Sequence, residues 1–199
     1  MNVESRPMSG AEADRFNQKI PENFSDFLRF QEGKPVCDGP ISIPALPSGA
    51  RLVVIGDFIC TGILEVPEEA SLVVTGRLEA EGIIADGNII VLGDIETGDV
   101  FGESYCNRVF CCGGNAHVRC LIENGHDFEF EGSLDALFVA SLMNVVRVSG
   151  QVRSSHVFLT RLSRDKCREV LVPELFDGEG KLESDLVTHR IWKKQPLLK

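Results

Sequence analysis

Four residues have the side chains and the spacing for acid–base chemistry. Glu79, Glu96, His117 and Asp135 follow one another at intervals of 17, 21 and 18 residues. Paired carboxylates can act as acid and base, or as acid and nucleophile, on a glycosidic bond, and histidine titrates near neutrality. Glu81 and Asp94 lie close to the same positions. These intervals matter only if the chain returns to one place every 17 to 21 residues, so the elements that hold the side chains decide what they can do. Other chemistry has little support in the sequence. It contains no Walker loop, G-x-S-x-G elbow, H-E-x-x-H pair or EF-hand loop. The histidines at 117, 126, 156 and 189 show no ligand spacing, so neither a metal nor a cofactor is expected.

The positioning element is a repeat. Leu52-Val53-Val54-Ile55-Gly56-Asp57-Phe58 returns as Leu72-Val73-Val74-Thr75-Gly76-Arg77-Leu78 and as Ile89-Ile90-Val91-Leu92-Gly93-Asp94-Ile95. A degraded copy runs from Val109 to Gly114, and two more centre on Gly132 and Gly150. The glycines at 56, 76, 93, 114, 132 and 150 are 20, 17, 21, 18 and 18 residues apart, the signature of a solenoid. Apolar and polar residues alternate around each glycine, as in a strand with one buried face. The column two after the glycine is apolar in every coil: Phe58, Leu78, Ile95, Ala116, Leu134, Val152. The column one after it is polar: Asp57, Arg77, Asp94, Asn115, Ser133, Gln151. A second apolar pair follows, as in Ile83-Ile84 and Leu121-Ile122. Glycine is expected where each strand turns a corner. The predicted fold is an all-β solenoid, a single-stranded β-helix of about six coils with short helical caps at both ends.

Along the chain, residues 1–48 read as an N-terminal helical cap and extended connection, 49–162 as the β-helix, and 163–199 as a C-terminal helical cap, all one cooperative domain. Two short helices are expected between Ala11 and Gln31, broken at Pro21. Ser25 would cap the second, whose face of Phe24, Phe27, Leu28 and Phe30 would cover the first coil. Ile41-Ser42-Ile43 reads as a partial first strand. The fourth coil is interrupted at Phe101–Asn107, where a loop should protrude. Arg164–Leu171 and Leu182–Lys194 read as helices, with Leu182, Leu186 and Ile191 facing the end of the column.

The 199 residues carry a formal charge of −10, unevenly spread. Residues 52–144 hold 3 basic and 16 acidic side chains, whereas residues 145–199 hold 11 and 7. Such a column repels nucleic acid and anionic membrane and attracts a basic protein. Acidic side chains also keep a solenoid soluble and its edges unpaired. No apolar run approaches the roughly 18 residues of a membrane span, and no secretory h-region is evident. Seven cysteines, an odd number without a C-x-x-C pair, point to free thiols in a reducing, cytoplasmic compartment. Of the adjacent Cys111 and Cys112, one should be buried and one more exposed.

The repeat Leu72-Val73-Val74-Thr75-Gly76-Arg77-Leu78-Glu79-Ala80-Glu81-Gly82-Ile83-Ile84 resembles the bactofilin-like, polymer-forming β-helix proteins over residues 52–160. That resemblance implies a right-handed β-helix with neither cofactor nor active site. Bactofilins polymerise through bare column ends, whereas both termini here read as folded caps. The layout also resembles the β-helical immunity proteins encoded beside bacterial polymorphic and type VI secretion toxins. The Tyr105-Cys106-Asn107 loop and the tail Leu171-Val172-Pro173-Glu174-Leu175-Phe176-Asp177 carry that likeness. The function this implies is non-enzymatic: binding and neutralising a cognate basic toxin such as a nuclease. The expected contacts are Glu79, Glu81, Asp94, Glu96 and Asp135, with Tyr105 as an anchor, on a monomer or small homo-oligomer. A bactofilin-type scaffold is the alternative. A carbohydrate-cleaving enzyme fits less well, because such β-helices build a groove from long loops and this chain has one modest loop. A hexapeptide acyltransferase is disfavoured by coils that vary in length.

Overall fold

The structure, a computed structural model, describes residues 4–24, 28–46, 49–104, 108–158 and 164–199. The chain is a parallel β-solenoid of about six coils with short helical caps, as the repeat predicts. Each coil consists of a short strand, a glycine corner and a long strand. The six coils pair β4 (Arg51–Ile55) with β5 (Phe58–Val66), β6 (Ser71–Val74) with β7 (Leu78–Ala85), and β8 (Asn88–Val91) with β9 (Ile95–Glu103). They continue as β10 (Val109–Cys112) with β11 (Ala116–Asn124), β12 (Asp127–Phe130) with β13 (Leu134–Ser141), and β14 (Val146–Val148) with β15 (Val152–Phe158). A short coil precedes them, formed by β2 (Pro35–Asp38) and β3 (Ile41–Ile43), so Ile41-Ser42-Ile43 is indeed a strand. The short strands stack into one sheet, edged by β1 (Arg6–Pro7) antiparallel to β2, and the long strands stack into another.

The register aligns Phe58, Leu78, Ile95, Ala116, Leu134 and Val152 in one column, as their spacing predicts. All of these but Val152, which is 37% exposed, join Leu72, Val74, Ile89, Val91, Phe110 and Phe128 in the central core. The six repeat glycines lie above one another: the N–H of each from Gly76 on donates to the glycine carbonyl of the previous coil at 2.9–3.2 Å, and the Gly56 N–H donates to Thr75 Oγ1 at 2.9 Å. Close approach, not torsion, requires them: of the six only Gly56 has a positive φ, while a Cβ on Gly93 would stand 2.5 Å from the Gly76 carbonyl oxygen. The polar column beside them is also explained. Asp57 Oδ1 accepts from the Arg77 N–H at 2.7 Å, Asp94 Oδ1 from Asn115 at 2.7 Å and Asn115 Oδ1 from Ser133 at 3.0 Å. These side chains satisfy backbone donors at the corner, where the ladder is interrupted.

The caps lie against the sides of the column. Helix α1 (Gly10–Asn17) starts with a capping box between Ser9 and Glu12. The second predicted helix is instead a 3-10 turn, Glu22–Phe24; Ser25 and Phe27 lie outside the described residues. Phe16, Phe24, Leu28 and Phe30 pack with Val36, Val73, Ile90 and Cys111, with Val53 and Ile55 against them, so they cover the outer face of the short-strand sheet from its first coils onward. Helices α2 (Arg164–Val170) and α3 (Ser184–Trp192) form where predicted. With the 3-10 turn Pro173–Leu175 they make an arm along the outer face of the long strands. There Cys167, Leu171, Val187 and Ile191 cover Ile84, Phe101, Ile122 and Phe138. Ile191 therefore faces the middle coils and not the column's end, and Leu186 is 41% exposed. The apolar pairs of the repeat follow from this: Ile83 and Leu121 point into the core, while Ile84 and Ile122 point out under the arm. At the predicted interruption, Phe101, Gly102 and Glu103 continue β9 in register with Ile122, Glu123 and Asn124.

Candidate interaction surface

The strand register brings together the residues that spacing singled out. Glu79 lies beside Glu96, Glu96 beside His117, and His117 beside Asp135, with Arg153 next in the column. All stand on the outer face of the long strands, before the stretch that the arm covers. The expected unbroken negative wall is not what they form. Arg77 pairs with Glu79 at 2.5 Å, and Lys194, at the end of α3, with Glu81 at 2.5 Å. Arg153 grips Asp135 through both guanidinium edges, and His117 Nδ1 lies 3.3 Å from the same carboxylate. These neighbours, Arg153 first, hold the Asp135 carboxyl below its usual range. Asp94 serves the glycine corner. Among the described residues, Glu96 is the member of the ladder that is exposed without an ion pair. Tyr105 lies outside the described residues.

Acidic side chains also gather at the other corner of the coils, where long strands hand over to short ones, with Arg51 and Arg108 lining the same surface as Glu68. Asp86 sits there among Glu65, Glu68 and Glu103. Burial, and then the charges of Glu103, Glu65 and Glu68, push its carboxyl up from 3.8 to about 6. Beside this corner a cavity of about 470 Å³ opens between the long strands and the C-terminal arm. It is lined by apolar Ile122, Leu142, Phe176 and Leu182 and by charged Glu103, Glu183, Asp185 and Lys181. Glu103 Oε1 accepts from Ser184 Oγ at 2.5 Å and from Asn124 Nδ2 at 2.9 Å, tying the start of α3 to β9 and β11.

One wall is shaped by a buried carboxylate. Glu123, fully buried, accepts the N–H groups of Leu142, Met143 and Asn144 at 2.9–3.1 Å and that of Gly125 at 2.5 Å. It holds the turn after β13 in the way an anion is held by a ring of backbone amides. A glutamate ending the run Cys120-Leu121-Ile122 was the available signal for it, and sequence reasoning missed it. His126 follows Gly125 at the corner and is wholly buried, with Nε2 2.8 Å from the Gly87 carbonyl oxygen. Burial lowers its pKa.

Six cysteines are described, all free and all buried. The expected asymmetry at 111–112 is absent because the N-terminal segment covers Cys111 while Cys112 faces the core. Burial pushes Cys112 up to about 12 and Cys167 to about 11, which keeps them as unreactive thiols near neutrality. Among the described residues no three His, Cys, Asp or Glu side chains gather as a metal site, and no helix is long and apolar enough to cross a membrane. No family model, curated protein or solved structure matches the chain.

Proposed function

We propose that this β-solenoid is a non-enzymatic, cytoplasmic binding module that engages a basic protein, in the manner of an immunity protein neutralising a toxin. The observation that carries this reading is the corner at which Glu65, Glu68 and Glu103 surround Asp86, whose carboxyl is pushed up to about 6 by burial first and then by these three charges. Assembling like charges opposes folding, and a cationic partner relieves that opposition. Nuclease toxins carry such cationic surfaces because they hold phosphates. The ladder contributes less than its composition implies, since Glu79, Glu81 and Asp135 already have basic neighbours. Its exposed Glu96 is the remaining contact there.

The test is charge reversal. Glu65, Glu68 and Glu103 are replaced by lysine in one variant, Glu79 and Glu96 in another, and affinity for the product of the neighbouring gene is measured at two salt concentrations. The corner variant should lose at least about tenfold, more at low salt, and the ladder variant less. Unchanged affinity of the corner variant at both salts removes the reading.

One observation favours a second reading, end-to-end assembly. Val152 and Val157 occupy core-facing positions in register with Leu134 and Val139, yet are 37% and 41% exposed. Among the described residues no strand pairs with the far edges of β14 and β15. The first coil differs: β1 covers the edge of β2, and Cys37, Ile41, Ile43 and Leu46 are buried. A column open at one end makes pairs rather than filaments. Light scattering decides, with a monodisperse monomer ruling the second reading out.

A further inference from the structure

We propose that a groove between the N-terminal segment and the short-strand sheet binds a free anionic amphiphile, an acyl chain ending in a carboxylate. The groove, about 450 Å³, falls within the range of roughly 300–1,000 Å³ typical of small-ligand sites. Its lining is ordered by depth. Met8, Leu28, Phe30 and Val36 are 1–9% exposed and belong to one apolar cluster, whereas Arg29, Lys34 and Arg51 are exposed. A ligand seated there meets apolar side chains at depth and cations at the surface. Among the described residues no acidic side chain lines the groove, and none of the three cations belongs to an ion pair. The carboxylates of the neighbouring segments are placed elsewhere. Glu12 and Asp38 both accept from Arg6, and Glu32 lies against Gly10. Glu68 and Glu69 border Arg51 on an adjoining surface that Arg108 also lines, without pairing to it. Three such cations are a local exception on a chain of net charge −10, and an anion relieves their mutual repulsion. The negative charge of the rest of the surface opposes an anionic membrane. A peptide finds no open strand edge here, because β2 is already paired with β1 and β4, and β4 with β2 and β6. A free amphiphile needs neither, and gains from each CH₂ group it buries. This assignment is independent of the basic-partner reading.

Decanoate, decanol and decyltrimethylammonium carry the same chain with an anionic, a neutral and a cationic head. Each is titrated, below its micelle concentration, into the full-length protein while side-chain methyl resonances are followed. Decanoate should saturate one site, shift the methyls of Met8, Leu28 and Val36, and bind about tenfold more tightly than decanol, as charge-assisted contacts require. Replacing Arg29, Lys34 and Arg51 together by glutamine should weaken decanoate about tenfold and leave decanol unchanged. All three side chains are exposed, so the urea midpoint should hold. Arg51→Gln alone, expected to weaken decanoate about two- to fivefold, keeps the test valid if the triple variant unfolds. Failure of decanoate to bind, equal affinity for decanol or decyltrimethylammonium, or shifts that never saturate would overturn the proposal. Unchanged decanoate affinity in the variants would overturn it as well. Co-sedimentation with phosphatidylglycerol vesicles that is lost in the triple variant would assign the patch to a membrane surface instead. An acidic, leucine-rich peptide that shifts the same methyls and binds about tenfold more tightly than decanoate would assign it to a protein partner, and either result overturns the amphiphile.

Discussion

Gly132 stacks directly on Gly114, and a methyl group at its Cα would stand 2.3 Å from the Gly114 carbonyl oxygen. Only backbone movement makes room, so Gly132→Ala should destabilise by about 3 kcal/mol. Gly178, with nothing within 4 Å of its Cβ position, is the control, and Gly178→Ala should stay within about 0.5 kcal/mol of wild type in urea melts. Glu123 is a second sensitive residue. Glu123→Gln brings an amide donor to a site already filled by backbone donors and should cost about 2–4 kcal/mol. Asp86 works the other way. With its pKa raised from 3.8 to about 6, the folded protein holds a proton that the unfolded chain releases. The contribution of this group to stability is therefore lost as pH rises from about 4 to about 6, and stays lost above. Asp86→Asn should raise Tm relative to wild type, by more at pH 7 than at pH 4; equal Tm differences at the two pH values would contradict this. The spacing of Glu79, Glu96, His117 and Asp135 was readable because strand stacking preserves it. Arg77, two residues from Glu79, and Arg153, one coil on from Asp135, were readable in the same way; the Lys194–Glu81 pair was not, because the two lie 113 positions apart in the chain.

At the scale of elements, the arm and the N-terminal segment are sheet covers. Val53, Val73, Ile90 and Cys111 face outward from the short strands, and the N-terminal aromatics shield them. The sequence carried the sign of this: runs such as Leu72-Val73-Val74 and Ile89-Ile90-Val91 are apolar without alternation, as in strands buried on both faces. Alternation around the glycines was taken as the rule, and these runs are where it fails. Ile191→Ala removes a 2% exposed side chain from the arm's contact with the column and should cost about 2–4 kcal/mol. Removal of residues 164–199 should uncover Ile84, Phe101, Ile122 and Phe138, giving a protein that binds ANS and aggregates. A soluble, ANS-negative truncation would show that the arm does not cover that face.

For the whole molecule, each coil depends on its neighbours for backbone hydrogen bonds and core burial, so the column should unfold as one unit. The chain has one tryptophan, Trp192, and it lies in the arm, whereas far-ultraviolet dichroism reports mainly the strands. Coincident urea transitions by the two probes are expected; an earlier fluorescence transition would make the arm a separate unit. The open end of the last coil belongs to the same scale. If copies pair there, Val152→Lys and Val157→Lys should return the protein to a monomer while leaving the melt nearly unchanged, because both side chains are already partly in water.

The sequence by itself determined the coils, their register and the two-sided columns, because a repeat every 17 to 21 residues encodes contacts between neighbours in one dimension. It also placed α2 and α3 through local pattern. The tertiary structure alone decided where the non-repeating segments lie, since nothing in their own periodicity says which face of the column they cover. That placement closed the two sheet faces, paired Glu81 with Lys194 and enclosed the cavity beside Glu103. These outcomes depend on side chains far apart in the chain meeting in space, and a spacing read along one strand of sequence contains no term for them.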